Sequence, residues 1–174
     1  MSAAHERSTQ ETAPPPGPLS PDEEAVARAL GRVIIVVPRA IDADLMREQR
    51  LTLNEYSALM HLSETPERRL RMSELAAECD VSLSGMTRIV GRLEADGLIE
   101  RVQCAEDARG SNAVLTDAGL ARLEEAYPSH LASVRRHVID HLGDLDLVGL
   151  AAALRRFATT SECPPARTRG VAGA

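Results

Sequence analysis

Lysine is absent from this 174-residue sequence: all 20 basic residues are arginine. That absence excludes Schiff-base chemistry, the phosphate-loop lysine and the kinase-type strand lysine, together with the enzyme classes built on them. Tryptophan is missing too, and the aromatic residues, Tyr56, Tyr127 and Phe157, make up 2% of the chain. Recognition of single-stranded nucleic acid by base stacking therefore has almost no material here. The three cysteines, Cys79, Cys104 and Cys163, are too few and too scattered for a disulfide framework or a four-cysteine zinc site, which points to a reducing compartment. The densest apolar run, Val33 to Val37, is five residues long, against roughly 20 for a membrane span. No basic segment leads into an apolar stretch near the start, so a cytoplasmic protein with no membrane partner is expected. Nor is there a glycine-rich phosphate loop, a nucleophile elbow or a convincing metal motif. The expectation is a protein that is not an enzyme, with no catalytic residues, no cofactor and no metal.

What is present is a helical pattern, interrupted once, in a chain of net charge −6 that is long enough to bury a sizeable core. Residues 1–19 are polar and proline-rich and residues 161–174 are similar in kind, so both are expected to be disordered tails. Ser20-Pro21-Asp22-Glu23 reads as a helix start with a capping box. Val26, Leu30, Val33, Val37, Ile41 and Leu45 then form one apolar stripe to about residue 47, with a kink expected at Pro38. Thr52 with Glu55 repeats the capping pattern before Tyr56, Leu59, Met60 and Leu62, and Ser73 is expected to cap a short third helix carrying Leu75 and Ala76.

Residues 79–84 break that helix and cap the next, whose Met86, Ile89 or Val90, and Leu93 face inward until Asp96-Gly97 ends it. Two helices joined by a tight turn predict a helix-turn-helix. Residues 98–102 and 113–115, around a polar loop at 105–111, predict a β-hairpin, the only β signal in the chain. Thr116 caps a long helix to about residue 142, carrying Leu120, Leu123, Tyr127, Leu131, Val134 and Val138, with a kink expected at Pro128. A last helix covers residues 145–159. The expected fold is mainly α with a small β-hairpin: a winged helix-turn-helix over 51–116, flanked by helices at 20–50 and 117–160.

A helix-turn-helix followed directly by a hairpin can seat its second helix in a major groove, ~12 Å wide, while the hairpin tip reaches the adjacent minor groove. The outward side of that second helix carries Ser82, Ser84, Thr87, Arg88 and Arg92, with no acidic residue between Val81 and Leu93. In a chain this rich in Glu and Asp, such a face fits a phosphate-rich surface; a chance run of hydroxyls and two arginines is the plainer alternative. At the hairpin tip Arg109 could enter a narrow minor groove, held by Asp107 two positions earlier, unless the loop is an ordinary charged turn. Residues 68–112 hold seven arginines and eight acids. Binding would then rest on local arginine placement, and nonspecific affinity should be modest.

Residues 53–142 resemble the MarR (multiple antibiotic resistance regulator) family of winged-helix transcription factors. The pattern lies in Ser73-Glu74-Leu75-Ala76, in Arg88-Ile89-Val90 with Arg92-Leu93-Glu94 and Gly97-Leu98-Ile99, in Asp107-Ala108-Arg109, and in Leu115-Thr116 with Gly119. The resemblance implies that Ser84, Thr87 and Arg88 contact bases, that Arg92 and the third-helix start at Ser73 contact phosphates, that Arg109 is the wing arginine, and that Ser82 belongs to the same DNA-binding surface. It further implies a homodimer held by the flanking helices, bound to a pseudo-palindromic double-stranded operator, usually as a repressor. A small-molecule effector would release it from a pocket between the dimerisation helices and the DNA-binding lobe.

Leu83 departs from the family pattern, standing where a polar residue is common, yet it lies on the expected DNA face. Gly85 and Gly91 sit inside the recognition helix, each costing ~1 kcal/mol relative to Ala, and a close backbone approach to DNA, or flexibility until bound, would account for them. Arg39, Tyr56 and His61 are the expected effector residues, with Arg39 suited to the carboxylate of a small aromatic or lipophilic acid or else simply exposed. Two alternatives stay open. Cys104 could sense oxidants at the start of the wing, or the His130, His137 and His141 face could respond to a metal, although three ligands spread along one helix cannot all reach one ion.

Overall fold

The computed structural model describes residues 17–103 and 111–160, with side chains to residue 157. The chain forms two compact units, divided between Val36 and Val37. Helix α1 (Pro21–Gln49) starts on the expected capping box, in which the Ser20 N–H donates to Glu23 Oε2 (2.7 Å) and Ser20 Oγ accepts from the Glu23 N–H (3.3 Å). Pro38 lies inside α1 and does not end it. In the first unit Val26, Val33, Ile34, Ile35 and Val36 are all exposed.

In the second unit the end of α1 is followed by α2 (Leu53–Ser63), whose capping box is complete: Thr52 Oγ1 accepts from the Glu55 N–H (3.2 Å) and Glu55 Oε2 from the Thr52 N–H (2.9 Å). Helix α3 (Met72–Glu78) begins one residue earlier than its expected cap. The Arg71 N–H donates to Glu74 Oε2 (3.0 Å), so Ser73 lies in the first turn rather than capping it. Glu74, three residues beyond Arg71, takes the capping role by reaching back to the backbone. Between α3 and α4 (Leu83–Ala95) the chain turns through Asp80 in the left-handed region (φ 52°), and Ser82 Oγ accepts from the Gly85 N–H (3.1 Å) to cap α4.

The hairpin forms from β2 (Ile99–Gln103) and β3 (Ser111–Leu115). It acquires a third strand, β1 (Arg69–Arg71), which pairs antiparallel with β3 so that the order is β1-β3-β2. The expectation of a lone hairpin is corrected here. Arg-Leu-Arg is too short and too polar to show a strand period, and its β conformation comes from tertiary pairing with β3. Helix α5 (Asp117–His137) ends earlier than expected, in a short 3-10 turn at Ile139–His141, and α6 (Leu147–Thr160) completes the described chain.

One hydrophobic core fixes the second unit: Leu45 of α1, Leu59 and Leu62 of α2, Leu75 of α3, Met86, Val90 and Leu93 of α4, and Ile99 of β2 are essentially inaccessible. The junction of α4, β2 and α5 is tight. Gly97 turns the chain at φ 72°, Thr116 Oγ1 donates to its carbonyl (2.8 Å), and the same hydroxyl caps α5 through the Gly119 N–H (2.9 Å). A Cβ at Gly119 would run into the Leu98 carbonyl and the Leu115 side chain. Glycine is needed there for close backbone packing, not for its dihedral freedom. Among the described residues no helix is long and apolar enough to cross a membrane.

Candidate nucleic-acid interface

Helix α4 divides cleanly into two faces. Met86, Ile89, Val90 and Leu93 are buried, whereas Leu83, Ser84, Thr87, Arg88 and Arg92 are exposed together with the capping Ser82. The hydroxyls of this outer face are largely committed: Ser82 Oγ and Ser84 Oγ lie 3.1 Å apart, and Thr87 Oγ1 donates to the Leu83 carbonyl at 2.8 Å. Arg88 is different. It has no hydrogen bond or ion pair among the described residues, so its guanidinium is available to an outside anion or base edge.

Arg92 is anchored from below. Its Nε donates to Glu55 Oε1 at 2.7 Å, and Glu55 is the same carboxylate that caps α2. Burial pushes the Glu55 carboxyl up, but the Thr52 backbone and the Arg92 guanidinium outweigh it and hold the group below its ordinary value. Half of the Arg92 side chain is still exposed, so the pair aims a partly neutralised cation outward. It also ties α4 to α2.

Arg101 of β2 was not singled out as a functional residue from the sequence, yet it latches the wing strand to the recognition helix. Its Nη2 donates to the Thr87 carbonyl (3.0 Å) and its Nε lies 3.1 Å from Glu94. A Cβ on Gly91 would stand 3.2 Å from Nη2, so Gly91 makes room for this crossing side chain. Gly91 thus has an internal role in addition to any approach of DNA. Gly85 sits over its own cap, where a Cβ would meet Ser82 Oγ at 3.2 Å. In the sequence the only hint was an internal helical glycine ten residues before an arginine.

Ser73 is exposed in the first turn of α3, beside exposed Arg71. Arg68 and Arg69 are engaged with Asp117 and Glu67, each at 2.9 Å. Asp107, Arg109 and Cys104 lie outside the described residues. Cys79 is half-buried, and burial, then Glu78, push its thiol up to about 11, which leaves it protonated at neutral pH.

The three expected effector residues are not brought together. Arg39 is exposed beside a cleft of about 250 Å³ lined also by Pro38, Asp42, Leu53 and Asn54. His61 lines a different cleft, of about 180 Å³, with Glu64, Thr65, Leu70 and Glu78. Tyr56 is buried, its ring stacked on His130 at 4.2 Å. Helix α1 carries Arg39 to one cleft, whereas α2 carries His61 to another and Tyr56 into the core, a separation that spacing along the sequence does not show.

The histidines of α5 also part company. His130 is held against Tyr56 with its Nδ1 buried and unpartnered, and burial lowers its pKa. His137 Nε2 lies 2.9 Å from Asp44 Oδ2, and His141 is exposed. Among the described residues no group of three potential ligands is placed to hold a metal ion. Asp44 is the hub of the α1–α5 contact: buried, it accepts from Ser133 (2.8 Å), Arg136 (3.0 Å) and Arg47 (2.6 Å) besides meeting His137. The Ser133 hydroxyl first, then Arg47, hold its carboxyl well below the ordinary range, with burial opposing them. Nearby, Gln49 donates to Ser129 (2.8 Å), and Arg122 reaches the Gln49 carbonyl and side chain.

Residues 51–110 match the model described as MarR family. Sco3205, a MarR family transcriptional regulator from Streptomyces coelicolor solved in complex with DNA, is 32% identical, with a TM-score of 0.78 over 87% of this chain and 96% of that one. AbsC, a MarR family transcriptional regulator from the same organism, is 36% identical, with a TM-score of 0.74 over 83% and 97% of the two chains. Among curated proteins, the HTH-type transcriptional repressor YetL of Bacillus subtilis is 32% identical over 84 residues, 48% of this chain; the match spans half of that relative's length.

Proposed function

The chain belongs to the MarR family of transcriptional regulators, whose members are not enzymes, and from that premise we propose that it is a cytoplasmic repressor binding a pseudo-palindromic duplex as a homodimer. The observation that carries this reading is the outer face of α4. A helix seated on the core by four buried residues presents Leu83, Ser84, Thr87 and Arg88, with no acid among them and Arg88 unpaired among the described residues. Two such helices, one per subunit, enter successive major grooves about 34 Å apart.

Dimerisation is supported by the apolar residues left in water. Four consecutive residues, Val33 to Val36, surround a helix, and each is about half exposed or more. Leu147, Val148, Leu154 and Phe157 of α6 are likewise exposed. A helix apolar on all sides belongs in an interface, and a second copy of the chain is the occupant the family resemblance implies. Release by a small aromatic or lipophilic acid is the effector half of the reading. It is supported by Arg39, a free cation at the rim of an open cleft.

Enrichment of duplexes from a random-sequence pool, followed by sedimentation of the complex, tests the reading. The expected result is a palindromic consensus bound by two chains per duplex, with Arg88→Ala losing the consensus preference. No enriched sequence would overturn it. For the effector, Arg39→Ala should bind the consensus normally but resist release by aromatic carboxylic acids; unchanged release removes Arg39 from that role.

A further inference from the structure

We propose that Leu83 is a specificity-determining residue of this interface, reading the 5-methyl group of a thymine next to the base that Arg88 contacts. The inference rests on the DNA reading above and deepens it. A solitary exposed leucine needs no explanation in itself. What gives this one a role is the chemistry around it.

Leu83 opens α4 and is 54% exposed, whereas the other large apolar residues of that helix, Met86, Ile89, Val90 and Leu93, are at most 6% exposed. It stands at the N-terminal end of the helix, where recognition helices meet base edges. Its neighbours spend part of their hydrogen-bonding capacity within the helix. Ser82 Oγ accepts from the Gly85 N–H and shares a hydrogen bond with Ser84 Oγ, so one of the two hydroxyl protons is spent within the turn. The Thr87 proton is spent on the Leu83 carbonyl, which leaves its methyl and lone pairs for an outside partner.

The first turn of α4 therefore offers alkyl surface, and Arg88, on the exposed side of the next turn, supplies a guanidinium with no partner among the described residues. In the major groove only thymine presents an alkyl group, while guanine presents the paired acceptors that suit an arginine. The Leu83 side chain matches a thymine methyl, and Arg88 matches an adjacent guanine. Burying one methyl against an alkyl side chain is worth about a fourfold change in affinity per half-site.

The test uses the full chain and the duplexes it enriches from a random pool. Each thymine of the consensus is replaced in turn by deoxyuridine, which removes the methyl and keeps the base pairing. Affinity is measured for the native protein and for Leu83→Ala. The proposal expects one thymine per half-site whose methyl is worth about three- to fivefold to the native protein and nothing to Leu83→Ala. A native protein indifferent to deoxyuridine at every position overturns it, whatever the variant does. A Leu83→Ala protein that still discriminates the methyl overturns the assignment to Leu83. An enriched consensus that fails either measurement leaves DNA binding standing and removes only this proposal; a pool with no enriched sequence removes both.

Discussion

Helices α4 and α1 both carry dense apolar stretches, the first at helical spacing and the second including four consecutive residues, Val33 to Val36, and the chain treats them differently. In α4, Met86, Ile89, Val90 and Leu93 are at most 6% exposed, while Val26, Val33, Ile34, Ile35 and Val36 of α1 are between 47% and 69% exposed. The first stripe is satisfied by the chain's own α2, α3 and β2; the second has no partner among the described residues of its own unit. Periodicity reports that a face needs burial but not what buries it, whether the same chain or another copy.

The largest expected effect comes from breaking the exposed apolar run of α1, Val33 to Val36. Ile35→Asp should leave the second unit folded but convert the dimer to monomers in sedimentation, with operator affinity falling about a hundredfold or more as the two half-sites are bound independently. A dimer that survives this change would contradict the interface role of α1. Next is the buried side of the comparison. Gly119→Ala pushes a methyl into the Leu98 carbonyl and the Leu115 side chain, and should lower stability by about 3 kcal/mol in denaturant unfolding without changing the isolated affinity of whatever remains folded.

A smaller effect is expected where α4 is joined to β2. Arg101→Gln removes the ion pair with Glu94 and the bond to the Thr87 carbonyl. Stability should fall by about 1 kcal/mol, and operator affinity should fall in excess of that because α4 and the wing strand lose their fixed angle. Equal affinity in the variant would reduce Arg101 to a structural residue.

The smallest effect is in the pH dependence. Burial disfavours the charged form of His130 in the folded chain, so below the ordinary histidine value of about 6.5 the unfolded chain takes up protons more readily. Stability is therefore full above that pH and declines as the solution is acidified through it. Asp44 acts in the same direction lower down: its carboxyl is depressed by Ser133 and Arg47, and its contribution is lost as pH falls below the ordinary aspartate value of 3.8. Thermal midpoints at pH 7.5 and 5.5 should differ in the native protein and differ less in His130→Phe, which keeps a ring against Tyr56. An identical shift in both would remove His130 as the source.

The sequence revealed what local rules govern. The caps at Ser20, Thr52, Ser82 and Thr116, the inward face of α4 and the β2–β3 hairpin all follow from residue types within a few positions of each other. What stayed hidden depends on residues far apart in the chain. Strand β1 exists because β3 accepts Arg69 to Arg71 as a partner, and Ser73 lost its capping role to Arg71 and Glu74. Nothing near Arg92 in the sequence shows that Glu55, 37 residues earlier, lies beneath it and pairs with it. Asp44 gave no sign of gathering Ser133, Arg136 and His137. The placement of the expected effector residues is set in the same way: Arg39 and His61 line different clefts and Tyr56 enters the core, which spacing along a helix does not specify.

The central claim is that the outer face of α4 reads duplex DNA through Arg88. Affinity for the enriched consensus and for a scrambled duplex, measured across a range of salt for the native protein and Arg88→Ala, tests it most directly. The account predicts native binding that weakens steeply with salt. It further predicts an Arg88→Ala protein that loses about tenfold or more on the consensus while its weak, salt-sensitive binding to the scrambled duplex changes little. Binding indifferent to salt, or an Arg88→Ala protein with the native preference intact, would contradict it.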